Sequence, residues 1–372
     1  MERKIFELCE RFNIKGEYVG YKVFKSGHIN TTIMVTILHD GKTKQYVFQK
    51  INKEVFREPE LVMDNISNVT NFIKNKLKSK GESTSRRVLK FYKSENGKYF
   101  TIDDEGDYWR AYKFVDKSIT FDKTEDTEIL EETGKAFGEF QQLLDGFPIE
   151  DLHIIIPHFH NTKNRYKIFR ETLEKDPVNR SCFVVEEIQA YLELEQIATK
   201  MYKMQKRGEL QLRVTHNDTK CNNVLFDETT GKYLCVIDLD TIMPGLVCFD
   251  FGDAVRFAAN TAAEDETDLD KVCLDFNKFK ALAKGFISRA KSSLTEAEQD
   301  TLALGAITMT IECGLRFLTD YIDGDNYFHT DYPEHNLDRA RCQLQLAHDM
   351  IANYSKMQAI IKDFCAQYSV NQ

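Results

Sequence analysis

Between residues 214 and 253 the chain reads VTHNDTKCNNVLFDETTGKYLCVIDLDTIMPGLVCFDFGD, and few folds accommodate that order of residues. His216, Asn217 and Asp218 are followed by Asn223, then by a turn at 229–232 and an apolar run, 234–237, that ends in Asp238. An acid, an amide and a second acid thus arrive in a fixed sequence, the last at the C-terminal end of a short strand. That set suits movement of a phosphoryl group, which needs little covalent help. It needs an oriented acceptor hydroxyl, a group to take its proton and oxygen ligands for a charge-neutralising Mg²⁺. Asp218 is the expected base, and Asn223 and Asp238 the expected metal ligands. The plain alternative is a surface turn at Asn217 and Asp218 entering a hairpin, with Asp238 capping the next segment.

The HxDxxxxN spacing is that of the protein-kinase catalytic loop. Asp250, Phe251 and Gly252 spell the kinase metal motif DFG, but they come after Pro244 and Gly245, where the strand has already ended. Asp238 is therefore the expected principal ligand and Asp240 a possible second one. Asp250 and Asp253 are expected to brace the catalytic loop by hydrogen bonds.

The 372 residues exceed a usual single domain and favour two lobes. A net charge of −9 argues against nucleic acid as the main partner. The start, MERKIFELCERFNI, reads as an amphipathic helix with Ile5, Leu8, Cys9 and Phe12 on one face, and it lacks the apolar core of a signal peptide. No apolar run is expected to cross a bilayer. The nine cysteines show no CxxC or metal-ligand spacing, as expected of reduced thiols in the cytoplasm. Oligomeric state is not legible; a monomer or a weak dimer fits.

The expected fold class is α+β, with a β-rich N-terminal lobe over residues 1–115 and a mainly helical C-terminal lobe over 116–372. Runs 18–25, 32–39 and 44–51 read as strands, with a hairpin turn at His39, Asp40, Gly41 and Lys42. The loop SGHIN between the first two would cover a nucleotide's phosphates, Gly27 admitting the backbone and Asn30 or Thr31 donating hydrogen bonds. Lys50, in QYVFQKIN, stands where a kinase sheet carries its phosphate-pairing lysine, unless Gln49 is the inward side chain. Residues 59–77 follow as a helix begun by Pro59, and Glu60 or Asp64 would pair with Lys50. KNKLKSKGESTSRR (74–87) reads as a solvated connection, and 88–93 and 99–103 as strands. YWRAYKFV (108–115) would close the sheet and lead to the hinge, where backbone near Tyr112, Phe114 and Val115 meets adenine. Helices are expected over 127–144, 184–207, 267–291, 302–322 and 339–364.

With these residues in hand, the chain resembles the aminoglycoside-phosphotransferase and choline-kinase-like superfamily, specifically its sugar 1-kinases. The motifs are GHIN (27–30), QKIN, FHNT with RY (159–166), HNDTKCNNVLFD, VIDLDTIMPG, DFGDAVR and ECGLRFLTDYIDGDNYF (312–328). The resemblance implies a protein-kinase-like fold and transfer of the ATP γ-phosphoryl group to the anomeric hydroxyl of N-acetylglucosamine or N-acetylgalactosamine, giving the α-1-phosphate. It implies Asp218 as base, Asn223 and Asp238 on Mg²⁺, and Asp218, His28, Arg316 and Tyr327 on the sugar. Arg316 could instead pair with Glu312 within its helix. The rival readings are a kinase of another small alcohol (an aminoglycoside, choline, homoserine or glucosamine), for which the acidic stretch AEDETDLD could line a cationic pocket, and an inactive binding module.

Overall fold

The computed structural model describes residues 1–24 and 29–368. A helix, α1 (Glu2–Arg11), precedes strands β1 (Glu17–Phe24), β2 (Thr31–His39) and β3 (Lys42–Lys50), then helix α2 (Pro59–Ser79) and strands β4 (Thr101–Ile102) and β5 (Tyr108–Lys113). The five strands form an antiparallel sheet in the order β1-β2-β3-β5-β4. Asp40 and Gly41 both take positive φ between β2 and β3, the two-residue hairpin that an Asp-Gly pair favours.

Side chains alternate across a strand, so one face of this sheet is settled by its apolar residues. Ile33, Phe48 and Ala111 stand in register, with Val35, Tyr46 and Trp109 on the same side, and they bury against Ile5, Leu8, Cys9 and Phe12 of α1. The expected α1 stripe is the buried one. Beside it, the Asp103 carboxylate accepts from Trp109 Nε1 at 2.7 Å and from Lys4 Nζ at 3.0 Å. The opposite face carries Thr32, Gln49 and Arg110 side by side.

The rest of the chain is mainly helical. Strand β6 (Ser118–Ile119) leads to α3 (Thr127–Leu143), α4 (Thr162–Lys175), α5 (Val185–Glu193), α6 (Glu195–Ala198) and α7 (Lys200–Lys206). Strands β7 (Arg213–Thr215), β8 (Val224–Asp227), β9 (Tyr233–Val236) and β10 (Met243–Gly245) follow. Helices α8 (Val247–Ala258), α9 (Phe276–Ala290), α10 (Glu296–Asp323), α11 (His335–Ala352) and α12 (Tyr354–Gln367) complete the chain. The fold is thus α+β, a β-sheet region followed by a helical one. The apolar stripe of α2 joins the helical core rather than the cluster under α1. Its buried Asn65 donates to the Ile242 and His153 carbonyls, both at 2.9 Å.

Several expected elements differ. The helix anticipated over 184–207 is three short ones, and at its second break the Thr199 hydroxyl donates to the Glu195 carbonyl, a bond that bends helices. The one over 267–291 begins only at Phe276, where Asp275 caps the amides of Asn277 and Lys278. The one over 339–364 breaks at Asn353. Segment 88–93 contributes only a bridge between Phe91 and Tyr112. Helix α10 is long and apolar enough to cross a bilayer, against expectation, but 89% of its most apolar window is buried inside the fold.

Glycines set two helix crossings. A Cβ on Gly285 of α9 would meet the Glu131 carbonyl oxygen of α3 at 2.0 Å, and one on Gly138 of α3 would meet the Phe286 carbonyl oxygen at 2.3 Å. On the other crossing, Gly252 of α8 faces Gly305 of α10. Because the obstacle is backbone, a methyl group forces the helices apart. Gly285→Ala should cost roughly 1–3 kcal/mol or more of stability by urea denaturation; a loss under about 0.5 kcal/mol, the scale of a neutral surface change, would show that the helices are not locked there.

Candidate active site

Two short antiparallel pairings assemble the site. Strand β7 pairs with β10, Thr215 opposite Met243, which brings 216–223 against 238–242. The β8/β9 hairpin sets Val224 opposite Val236, and the Ile237 amide donates to the Asn223 carbonyl at 2.9 Å. Asn223, one residue before β8, and Asp238, two residues after β9, therefore lie just beyond the same end of the hairpin.

The loop itself is held from below by α8. The Asp250 carboxylate accepts from the His216 and Asn217 amides, each at 2.9 Å, and from Gln141 Nε2 at 2.9 Å. Asp253 accepts from the Thr219 amide at 3.2 Å, and the Thr219 hydroxyl donates to the Asp250 carbonyl at 2.6 Å. The expected bracing by both acids is what the geometry contains. Burial raises the Asp250 carboxyl above its ordinary range despite these amides. Burial also opposes ionisation of Asp253, but Arg256 and Lys220 outweigh it and hold Asp253 low.

His216 is fully buried, its ring packed on the edges of Phe137 and Phe140. Its Nε2 lies 2.8 Å from the Ile237 carbonyl, and its Nδ1 accepts the Asp218 amide at 3.3 Å. Only the Nε2–H tautomer satisfies both partners. The ring thus links Asp218 to Ile237, the residue before Asp238.

Asp218 lies half-open, with Lys220 Nζ 2.9 Å from Oδ1 and Asn223 Nδ2 donating to Oδ2 at 2.9 Å and to the Asp218 carbonyl at 2.8 Å. Both amide hydrogens of Asn223 are thereby spent, leaving its oxygen. Asp238 adopts a left-handed backbone, φ 58°, and its carboxylate has no hydrogen-bond or ion-pair partner among the described residues. It is exposed to solvent although protein crowds around it. That partial removal from water, together with the charges of Asp240 and Asp218, pushes it up to about 6. An amide oxygen and a carboxylate unbalanced by any cation fit a hard divalent ion that completes its shell with water and phosphate.

The other expected residues scatter. Asn30 donates to Asp240 and accepts the Asn52 amide at 3.0 Å. Thr31 is exposed at the start of β2. Lys50 is not brought to this cleft: it stands opposite Thr31 and Trp109, on the α1 face, because Phe48 two residues earlier is committed to that core. Neither Glu60 nor Asp64 pairs with it. Lys50 Nζ reaches Asp107 at 3.0 Å, while Glu60 accepts the Tyr108 hydroxyl at 2.5 Å. Asp240 is occupied by Arg110, buried with it. Tyr112, Phe114 and Val115 lie on the segment leaving the sheet. Arg316 Nη2 lies 3.4 Å from the Tyr327 hydroxyl and its guanidinium over the Phe328 ring at 5.2 Å. Gly27 and His28 lie outside the described residues.

Sequence reasoning missed Arg110, Lys220 and a cluster on α4 and α10. In that cluster Glu312 accepts from Thr162 Oγ1 at 2.6 Å and pairs with His160 Nδ1 at 2.8 Å. Burial disfavours its charge, yet His160, Arg165 and Thr162 hold it low. Asn161 caps α4, accepting the Asn164 amide at 3.0 Å, a signal present in FHNT. For Arg110 the signal was a lone cation on the alternating face of Tyr108 and Tyr112.

Asp218, held by Lys220 and Asn223, and Asp238 beyond the same hairpin form a candidate site whose groups suit phosphoryl transfer. A profile of the phosphotransferase enzyme family (APH) matches residues 20–278, and the chain belongs to that family. Solved structures similar in fold include a choline kinase from Cryptosporidium parvum Iowa II, 14% identical, TM-score 0.57, covering 98% of this chain and 99% of that one. A Plasmodium vivax ethanolamine kinase is 14% identical, TM-score 0.54, over 87% and 82%. A spectinomycin phosphotransferase in complex with ADP and its substrate is 12% identical, TM-score 0.57, over 94% and 98%.

The raised Asp238 carboxyl has a stability signature. Its ionised form is disfavoured in the folded, metal-free protein, so stability falls as pH rises from about 4 through about 6. Asp238→Asn should therefore melt higher than the parent in EDTA at pH 7.5, with the gain vanishing below pH about 4. MgCl₂ should raise the parent's Tm and leave the variant's unchanged. A variant less stable in EDTA at pH 7.5 would remove the case for an unbalanced carboxylate.

Proposed function

We propose that the protein is an ATP-dependent kinase that phosphorylates the anomeric hydroxyl of N-acetylhexosamines, giving the α-1-phosphate. The observation that carries the choice of acceptor is the charge balance on α4 and α10. Arg165 and Arg316 lie close enough for Arg316 to add to the burial that lowers Arg165. Among the described residues Arg165 Nε is buried without a partner while its Nη2 donates to the Phe159 carbonyl at 2.8 Å, and Arg316 has no acid within ion-pair distance. The nearby carboxylate, Glu312, is consumed by His160 and Thr162. Unpaired cationic donors favour a neutral, oxygen-rich acceptor and disfavour a cationic one.

The first two acids of the stretch that could have served a cationic alcohol are also engaged. Glu264 pairs with Arg256 at 2.8 Å and Asp265 with His335 at 3.2 Å. In its place stands an aromatic platform. Asp320 accepts the amides of Asn326, Tyr327 and Phe328 at 3.0, 2.8 and 2.9 Å, folding the DGDNYFH loop so that Tyr327 and Phe328 meet Arg316. Tyr327 is 71% exposed, a ring open to a sugar face. The relatives named for choline, ethanolamine and spectinomycin support the chemistry, transfer to a small alcohol.

The mechanism uses these residues as follows. The adenine edge docks on the hinge at Val115, where Phe114 N–H already donates to Gln45 at 3.1 Å and the Val115 carbonyl already accepts the Ser118 hydroxyl at 2.6 Å. Among the described residues the Phe114 carbonyl and the Val115 amide remain open; they share one trans peptide and point opposite ways, so the adenine edge would take one of them. Asn223 and Asp238 would hold Mg²⁺, which when bound would supply charge neutralisation for the phosphates. Asp218, oriented by Lys220 and Asn223, accepts the acceptor proton as its oxygen bonds to the γ-phosphorus and the bond to ADP breaks. Lys220 stays protonated: burial lowers it, but Asp218 and Asp253 raise it further.

ADP release should occur with N-acetylglucosamine or N-acetylgalactosamine and not with choline, kanamycin or homoserine, and the product should no longer be a reducing sugar. Asp218→Asn should lower turnover at least ~10²-fold with nucleotide binding retained. Arg316→Ala should raise the acceptor KM about tenfold or more, the scale of a hydrogen bond to a charged group, and leave the ATP KM unchanged. Turnover with the cationic alcohols alone would move the substrate class.

A further inference from the structure

On α10, Glu312 and Arg316 are four residues apart, so their side chains share one face of the helix, where opposite charges ordinarily pair. Here they do not. Among the described residues Arg316 has no acid within ion-pair distance, and its guanidinium lies over the rings of Tyr327 and Phe328, at 5.6 and 5.2 Å. A second guanidinium, that of Arg165, arrives from α4. Burial and then Arg316 lower it, and Glu312 opposes both, so the three groups feel one another. Yet Arg165 Nη2 donates to the Phe159 carbonyl at 2.8 Å and not to Glu312. A carboxylate 1% exposed thus stands beside two guanidinium groups and pairs with neither.

The segment that enters α4 is what keeps them apart. His160 Nδ1 lies 2.8 Å from Glu312 Oε1, and Thr162 Oγ1 donates to Oε2 at 2.6 Å, so each carboxylate oxygen has taken a donor. The imidazole is fixed in place by Phe159, 4.6 Å away between centroids, and by Phe249 of α8 at 5.7 Å. Its Nε2 is buried and, among the described residues, has no partner, which leaves the contact with Glu312 as the one that orients the ring. A packed imidazole and a threonine hydroxyl have little rotamer freedom left to lose, whereas a long arginine side chain has much, so they hold the carboxylate at lower entropic cost.

We propose that His160, assisted by Thr162, is a positioning residue for the acceptor: by occupying Glu312 it leaves Arg165 and Arg316 without an internal anion, free to donate to the acceptor's oxygens. A guanidinium held by a carboxylate would have to give up a charge-assisted pair before it could bind a neutral hydroxyl or carbonyl, and the neutral partner is the weaker of the two. The inference rests on the acceptor reading above and deepens it.

The test is steady-state kinetics with the N-acetylhexosamine and then ATP as the varied substrate, alongside thermal melting. His160→Leu frees Oε1 to capture a guanidinium, so the acceptor KM should rise about tenfold or more, the scale of a hydrogen bond to a charged group, with the ATP KM unchanged. His160→Asn, whose amide can stand where Nδ1 stands, should keep the acceptor KM near that of the parent protein. Adding Glu312→Gln to His160→Leu replaces the carboxylate with a neutral amide that forms no ion pair, and the acceptor KM should return close to the parent value even where the melting temperature does not. A purely structural role for His160 would not give that rescue. Should His160→Leu fail to fold, Thr162→Val frees Oε2 with almost no change of shape and carries the same expectation and the same rescue.

An unchanged acceptor KM in His160→Leu, or one that stays raised in the double variant, would overturn the proposal and leave the acceptor reading standing. A parent protein that turns over no N-acetylhexosamine would overturn that reading and the proposal with it.

Discussion

One buried carboxylate, that of Asp250, determines whether there is a site at all. It is 1% exposed and accepts two consecutive loop amides and the Gln141 side chain. Hydrogen bonds to a charged group contribute roughly 1.5–3 kcal/mol each, which is what allows the carboxylate to stay in the core. Two consecutive amides pointing at one acceptor also force the chain to turn. Asn217 accordingly takes φ 65° and its side chain secures the turn by donating to the Thr241 carbonyl at 2.8 Å. Asn tolerates that backbone better than a branched residue would. The letters DFG around Asp250 have a packing reason here: Phe251 fills the core between Phe279 and Phe286, and Gly252 lets α8 approach α10.

Above that anchor the acids differ in how they are balanced. Asp218 has Lys220, Asp240 has Arg110, and Asp238 has no ion-pair partner among the described residues. Desolvation together with the like charges of Asp240 and Asp218 disfavours the ionised form of Asp238. The fold accepts that cost at one position only and surrounds it with two satisfied pairs. Both left-handed non-glycine residues of the site, Asn217 and Asp238, flank the same histidine bridge. Backbone strain is thus concentrated where the reacting groups are aimed.

Much of this was legible because it is local. HxDxxxxN and the apolar strand ending in Asp238 fix the site's order within a stretch of chain short enough for spacing to dictate geometry. The α1 stripe and the hairpin at Asp40 and Gly41 were legible for the same reason. What was not legible is tertiary. Periodicity ran straight through Thr199 and Asn353, because an amphipathic pattern does not record a side chain bonding back to its own helix. Lys50 and Gln49 are neighbours in an alternating strand, and the partner that decides between them, α1, lies tens of residues earlier. Arg165 and Arg316 become a pair only when α4 meets α10.

The strand β3 shows how packing on one face decides chemistry on the other. Its register is set by Tyr46 and Phe48, which enter the cluster with α1, Trp109 and Ala111. A one-residue slip would turn Lys50 into the cleft, where a kinase lysine is expected, but it would also expel Phe48 and Tyr46 to solvent. Burying two such aromatic side chains is worth several kcal/mol, at roughly 1.5–3 kcal/mol each, more than a single surface cation contributes anywhere. The sheet therefore cannot deliver a cleft-facing lysine from that position. On the face whose parity points the other way, β5 places Arg110 directly across from the neutral Gln49, where it pairs with buried Asp240.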